Sequence, residues 1–362
     1  MKRHEQRKIS QFEWYSILLG ALIGVGITTL PREITATAGR DGWVTVTVAT
    51  VLVLLYSQIC IYYAKMFPDK TLAQSSVLVL GKYLGSALIV LYAIYTFFTA
   101  AIVLRMFMEL VYVYLQITVP LLFAMFINMV VIVYLSRCGL STVARFTIVV
   151  LYATAPLFFL FFQPIMFREY VNLLPVFEKG IAPSLLATQE AVLAFLGVEL
   201  ILIFYPYINN KNSFSKVTTL AIGSVWFIYT SIIVVIVMMM GIEQVEITYW
   251  PFLEYMKLVE MEIFERLDTL FIYMWTSKVL LVAGIQYFAG TFSLAHLTNK
   301  DYHDIWTLAC WPIVIAITWY PDSTPQIEEL AGYVGLYGGI LVGVMPILLI
   351  TVAKLRGIRN EN

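Results

Sequence analysis

Gly24-Val25-Gly26-Ile27-Thr28-Thr29-Leu30-Pro31 stands in the middle of the first long apolar run of the chain, from Gln11 to about Thr37. Two glycines weaken a helix there, and Pro31 has no N–H to give to the Ile27 carbonyl. The run is long enough to cross a bilayer, so its helix is expected to break at mid-depth. In lipid, each freed backbone N–H or C=O is costly unless it meets protein, water or a ligand. Such a break is a packed kink or a binding site. A matching break in a later helix favours the site, and Ala194-Phe195-Leu196-Gly197-Val198-Glu199-Leu200 is the candidate for it.

The surroundings of this stretch are apolar along the whole chain. Of 362 residues, 60% are hydrophobic and 13% charged, against about 25% charged in a soluble globular protein. An integral membrane protein is expected. The formal net charge is zero, which gives nucleic acid no electrostatic foothold. Cys60, Cys138 and Cys310 are scattered and form no CxxC pattern, so neither a disulfide framework nor a metal site is indicated. His4, His296 and His303 have no metal-ligand spacing. The basic start, Met1 to Lys8, precedes an apolar run too long for the core of a signal peptide. No soluble catalytic domain and no nucleophile–base set is visible, so no enzyme and no cofactor is expected.

A helical span needs roughly 20 apolar residues. About ten candidates follow by that rule: Gln11–Thr37, Gly42–Met66, Leu84–Leu115, Pro120–Leu135, Ser141–Phe162, Ala182–Ile208, Val217–Gly241, Leu267–Phe292, Asp304–Tyr320 and Ala331–Leu355. With the N-terminus inside, fifteen of the 23 Lys and Arg residues fall on the cytoplasmic side, six outside, and Arg105 and Lys278 within spans. That bias places both termini in the cytoplasm. Phe67-Pro68-Asp69-Lys70-Thr71 reads as a turn entering an interfacial segment. Ile247 to Met261 mixes aromatics with acids and reads as an outer amphipathic cap.

Five spans precede the long connection near Phe167–Pro183 and five follow it. Five is odd, so the second set starts on the opposite side of the membrane. The expected fold is therefore a single all-α transmembrane domain over residues 1–362, a 5+5 inverted repeat of about 11–162 and 182–355. Its broken helices are the first and the sixth, with the site between the breaks.

Five ionisable residues fall well inside predicted spans, away from their ends, and each needs a partner or a water-filled cavity. Arg105 and Glu109 are one turn apart and pair, either as a self-neutralising structural pair or as a gate on the outer route. Glu199 follows Gly197, where the sixth helix unwinds. Its carboxylate accepts a proton, caps the break through freed N–H groups, or binds a ligand ammonium. Glu190 lies nearer the outer mouth. Lys278, in the eighth span, replaces a sodium ion between the first and eighth helices, carries a proton, or pairs with a carboxylate.

Gly24-Val25-Gly26-Ile27 resembles the glycine motif in the first helix of the amino acid–polyamine–organocation (APC) transporter superfamily. Ala194-Phe195-Leu196-Gly197-Val198-Glu199 resembles its sixth-helix motif, which ends in an acid. Within that superfamily the chain looks most like the spore germination permease family, the B subunits of spore germinant receptors. The matching stretches run from end to end: Gly24–Arg32, Asp41-Gly42-Trp43, Gly81-Lys82-Tyr83-Leu84-Gly85, Phe195–Glu199, Phe264-Glu265-Arg266 with Trp275, and Trp319-Tyr320-Pro321-Asp322. The resemblance implies a LeuT-like fold, an inner spore membrane location and a complex with an A-type and a lipoprotein C-type subunit. It also implies a pocket for a germinant, an amino acid or sugar, lined by Gly24, Val25, Gly26, Thr28, Phe195, Gly197, Val198 and Glu199. For Lys278, Arg105 and Glu109 it implies no role, and coupling or gating by them rests on their positions alone. Two functions use the same site: a germinant-sensing receptor subunit, which the resemblance favours, and a proton-coupled amino acid transporter of the APC superfamily.

Overall fold

The protein is described by a computed structural model over residues 8–162, 170–257, 267–298 and 303–358. The basic Met1–Arg7 segment, Arg168, the Phe264-Glu265-Arg266 stretch, Lys300 and Arg359 lie outside the described residues.

Ser10 opens the first helix, α1 (Gln11–Leu22), through a reciprocal cap with Glu13: the Glu13 N–H donates to the Ser10 hydroxyl and the Ser10 N–H to the Glu13 carboxylate. α1 stops at the first glycine of the opening motif. A short 3-10 turn, Val25–Thr28, leads into α2 (Leu30–Ala38), where Pro31 occupies a first-turn position whose N–H needs no partner. α3 (Gly42–Met66) follows, then α4 (Leu72–Leu80), α5 (Lys82–Leu115), α6 (Leu121–Arg137) and α7 (Leu140–Phe161). Thr71 caps α4 with Gln74 in a second reciprocal cap, and the turn expected at Phe67–Thr71 precedes this helix.

The expected span Ala182–Ile208 is divided more finely than one break requires. It consists of α8 (Ile181–Leu186), α9 (Thr188–Leu193) and α10 (Ile201–Phe204), with 3-10 turns at Val198–Leu200 and Tyr205–Tyr207. Gly197, at φ +123°, breaks the middle, and Pro206 tightens the end. Past it lie α11 (Phe214–Met240), α12 (Ile242–Ile247), α13 (Pro251–Lys257), α14 (Leu267–Leu297), α15 (Asp304–Trp319) and α16 (Thr324–Leu355).

Among the described residues, six helical segments are long and apolar enough to cross a membrane. The pair Ile181–Leu193 and Val198–Tyr207, bent by 46°, makes a seventh, and α6 and α15 are shorter apolar helices. Their outward faces are apolar, as lipid requires: Phe123, Phe126 and Val130 on α6 and Tyr337, Ile340 and Val344 on α16 are all exposed.

α14 is largely apolar with no polar face, and Leu281 to Leu294 is buried without interruption. A helix of that kind belongs in the middle of a bundle. It packs against α1, α5, α6, α7 and α15. Its approach to α5 is close because Gly290 has no Cβ; one would collide with Thr96 and Phe97.

Several motif residues serve the frame. The Phe177 N–H donates to Asp41 Oδ2 at 2.9 Å, and Arg40 pairs with Glu178, so the α2–α3 corner anchors the long connection before α8. Ile9 pairs with Ile208 as two short extended segments, with the Ile9 N–H donating to the Tyr207 carbonyl and the Asn209 N–H to that of Ile9. The start of α1 is thereby tied to the end of the broken sixth segment. The segment expected as an outer cap turns its apolar residues onto the helix bundle. In α13, Phe252, Leu253, Tyr255 and Met256 are all buried, and the helix packs on α11, α14 and the Val25–Thr28 turn. The remainder of that expected cap, residues 258–261, lies outside the described residues.

Candidate functional site

The two breaks face each other. A Cβ built on Gly197 would sit 3.5 Å from the Ala21 Cβ and 3.5 Å from a Leu22 methyl. Both are at the end of α1. Each break frees backbone groups, and one side chain serves both. The Tyr229 hydroxyl, from α11, lies 2.6 Å from the Leu22 carbonyl and 3.5 Å from the Ala194 carbonyl. It is a shared cap inside the membrane, with the Phe195 ring set edge-on against it, centroids 5.6 Å apart.

The Gly24–Gly26 side of the first break is less satisfied. Among the described residues, the amides of Gly24, Val25 and Gly26 donate to no carbonyl. The hydroxyls of Thr28 and Thr29 turn back onto the carbonyls of Val25 and Gly26, at 2.9 and 3.3 Å. Three donors at the opening of a helical turn form a ready cradle for an acceptor such as a carboxylate.

A cavity of about 570 Å³ opens beside those amides, within the size range of small-molecule sites. Gly24, Val25, Gly26, Thr29, Arg32 and Glu33 line it from the first segment, Glu190 and Leu193 from α9 with Ala194 just past its end, Tyr229 from α11, Val282 and Gln286 from α14, and Glu328 and Gly332 from α16. Arg32 and Glu328 are paired at 3.2 Å, and the Arg32 guanidinium also lies over the Tyr249 ring. Glu33 and Glu190 are the other carboxylates on the wall. Glu190 Oε2 and Gln286 Oε1 are buried and have no hydrogen-bond donor among the described residues. The cavity thus offers free amides at one end and free acceptors elsewhere, which suits a zwitterion or a polyol.

Of the residues expected at the site, Gly24, Val25 and Gly26 line this cavity. Thr28, Phe195, Gly197, Val198 and Glu199 do not; they are buried behind it and form the breaks themselves. Glu199 is 1% exposed. Its Oε2 accepts from the Gly197 N–H at 2.7 Å, and its Oε1 lies 3.4 Å from the Tyr95 hydroxyl. Of the roles open to it, the geometry is that of a cap on freed N–H groups.

Arg105 and Glu109 are paired at 2.9 Å, and both reach further. Arg105 donates to the Pro321 carbonyl through Nη2 at 3.1 Å, and Glu109 accepts from the Thr324 hydroxyl at 2.5 Å. The pair clasps the turn between α15 and α16, which holds Tyr320-Pro321-Asp322 of the Trp319–Asp322 motif. Lys278 is near the first helix as expected, but no carboxylate pairs with it among the described residues. It lines a different, apolar cavity with Leu19 and Ile23. Sequence reasoning passed over Tyr229, Gln286 and the Arg32–Glu328 pair. Each is one polar residue in or beside an apolar span, and no local pattern distinguishes it from an interfacial neighbour.

A family model described as spore germination protein, the spore permease family, matches residues 8–327. Three curated relatives align over nearly the whole chain. Spore germination protein YndE of Bacillus subtilis is 23% identical over 357 residues, covering 96% of this chain and 97% of its own. Spore germination protein B2 of the same organism is 23% identical over 359 residues, covering 97% and 94%. Spore germination protein GerQB of Bacillus cereus is 21% identical over 357 residues, covering 96% and 97%.

Proposed function

Because this chain belongs to the spore permease family of spore germination proteins, we propose that it is the germinant-sensing membrane subunit of a spore germinant receptor. The cavity beside the first break binds a small nutrient, an amino acid or a sugar. The observation that carries the reading is the set of open amides at Gly24, Val25 and Gly26, on the wall of a cavity of about 570 Å³. A ligand carboxylate or hydroxyl completes those amides, and Gln286 and Glu190 accept from its ammonium or hydroxyl groups. Thr28, Phe195, Gly197, Val198 and Glu199 hold the two breaks in register behind the ligand.

In this reading the helices cross the inner spore membrane ten times as a 5+5 inverted repeat, with both termini on the spore core side. A-type and lipoprotein C-type subunits read the state of the breaks. The ligand acts by binding one arrangement of the broken segments more tightly than the other, since only differential affinity shifts such an equilibrium.

A leucine at position 26 tests this. A Cβ on Gly26 meets nothing within 4 Å and its backbone needs no glycine, so Gly26→Leu fills the cavity without straining the break. Spores carrying Gly26→Leu should contain the protein at normal levels and need at least tenfold more germinant for half response. A normal dose–response curve at normal protein levels would place the germinant elsewhere. Uptake of labelled germinant into proteoliposomes, blocked by the same variant, would turn the reading toward transport.

A further inference from the structure

A second cavity, of about 270 Å³, lies on the other side of α1 between α7, α11 and α14. Its wall is almost wholly hydrocarbon, with Leu19, Leu151, Phe158, Phe162 and Ile228 among the lining residues. Phe159 and Phe227 stand at its edge and are 80% and 59% exposed, so it opens sideways towards lipid.

Three polar side chains belong to the wall: Thr154, Trp275 and Lys278. The Thr154 hydroxyl is committed to the Val150 carbonyl at 2.8 Å. The other two are donors and nothing else. Trp275 is 1% exposed, and its indole N–H has no acceptor among the described residues. Lys278 is 3% exposed and has neither an ion pair nor a hydrogen bond among the described residues. It lies roughly 16 Å from the start of α14, near the middle of the bilayer depth. An ammonium in such surroundings persists only with a counter-ion.

We infer that this cavity binds a compact apolar monocarboxylate, with its carboxylate on Lys278 and the Trp275 N–H and its hydrocarbon body against α7 and α11. Two donors with no acceptor beside them select an anion. One lysine matches one negative charge and leaves a phosphate dianion uncompensated. The depth of Lys278 puts it out of reach of phospholipid headgroups. An apolar cavity of about 150 Å³ takes benzene, so this one takes a body on the order of ten heavy atoms. A free short-chain acid and a fatty acid released within the membrane present the same chemistry. Ile23, where α1 ends, lines this cavity while the adjacent Gly24 lines the other, so an occupant here braces the first break from behind. The inference does not depend on what the larger cavity binds.

Radiolabelled octanoate is the probe, and octan-1-ol its uncharged counterpart, with the full chain reconstituted in nanodiscs. Octanoate should bind saturably to the unaltered protein, and octan-1-ol should compete at least tenfold more weakly. Lys278→Met keeps an unbranched apolar stem without the ammonium and should weaken octanoate at least tenfold. Ala155→Phe leaves the lysine in place, fills the cavity and should do the same. Palmitate separates the sources: competition equal to octanoate identifies a membrane fatty acid, and failure to compete identifies a free short acid. Absence of saturable binding to the unaltered protein, equal binding of octan-1-ol, or an unchanged affinity in Lys278→Met would each overturn the inference.

Discussion

The Tyr229 hydroxyl lies 2.6 Å from the Leu22 carbonyl, across the gap from α11 to the end of α1. Tyr229 is buried, as is Leu22. A carbonyl left without a donor in such a place costs about 1–3 kcal/mol. Tyr229→Phe keeps the ring contact with Phe195 and removes only the hydroxyl. It should lower the thermal midpoint in detergent and, since Tyr229 stands both at the break and on the wall of the larger cavity, raise the germinant concentration needed for half response. An unchanged midpoint would show that the freed carbonyl has another donor.

Gly197 and Gly26 look alike in sequence and differ in the fold. Gly197 has φ +123°, a conformation that L-residues adopt only under strain, whereas Gly26 is not in that region and faces open space. Gly197→Ala should therefore cost roughly 1–3 kcal/mol, although a Cβ there would have ordinary contacts with Ala21 and Leu22. Gly26→Ala should be close to neutral. Thermal midpoints of the two variants, measured side by side, decide between conformational and spatial demand. Equal midpoints would count against the strained break.

Glu199 accepts from Gly197 and lies within reach of Tyr95, and it does not line the larger cavity. Glu199→Gln keeps an acceptor for the Gly197 N–H, and its amide group can donate to the Tyr95 oxygen. The variant should accumulate normally, with any shift in response equal for amine-bearing and uncharged germinants. Glu199→Leu removes the cap and should be less stable than Glu199→Gln by about 1–3 kcal/mol. A Glu199→Gln defect confined to amine-bearing germinants would mean that the carboxylate touches ligand after all.

Arg105 and Glu109 hold the α15–α16 turn through the Pro321 carbonyl and the Thr324 hydroxyl. Arg105→Met leaves the half-buried Glu109 carboxylate without its cation, and breaking a buried pair from one side costs about 3–5 kcal/mol. Removing both charges as Arg105→Met with Glu109→Leu should recover a large part of the lost stability. If instead the double variant is stable and unresponsive, the pair acts as a gate.

The sequence by itself determined the class of protein, the approximate limits of its apolar segments and the positions of both breaks. These are local properties. Apolar length sets where a helix can cross lipid, and glycine and proline disturb the backbone wherever they stand. The opening motif and Gly197 were legible for that reason. Tertiary structure alone decided which side chains share a cavity. In the membrane an apolar helix carries little polar patterning to mark its inner face, so Gln286 and Tyr229 are no more conspicuous in the sequence than their neighbours. Glu199 stood out because a charge in an apolar run is rare, yet its direction depends on the rotation of a backbone already unwound at Gly197. The same holds for Lys278. Its cost in a membrane is evident from its place in the chain, but the wall that α1, α7 and α11 build around it exists only once those helices pack together.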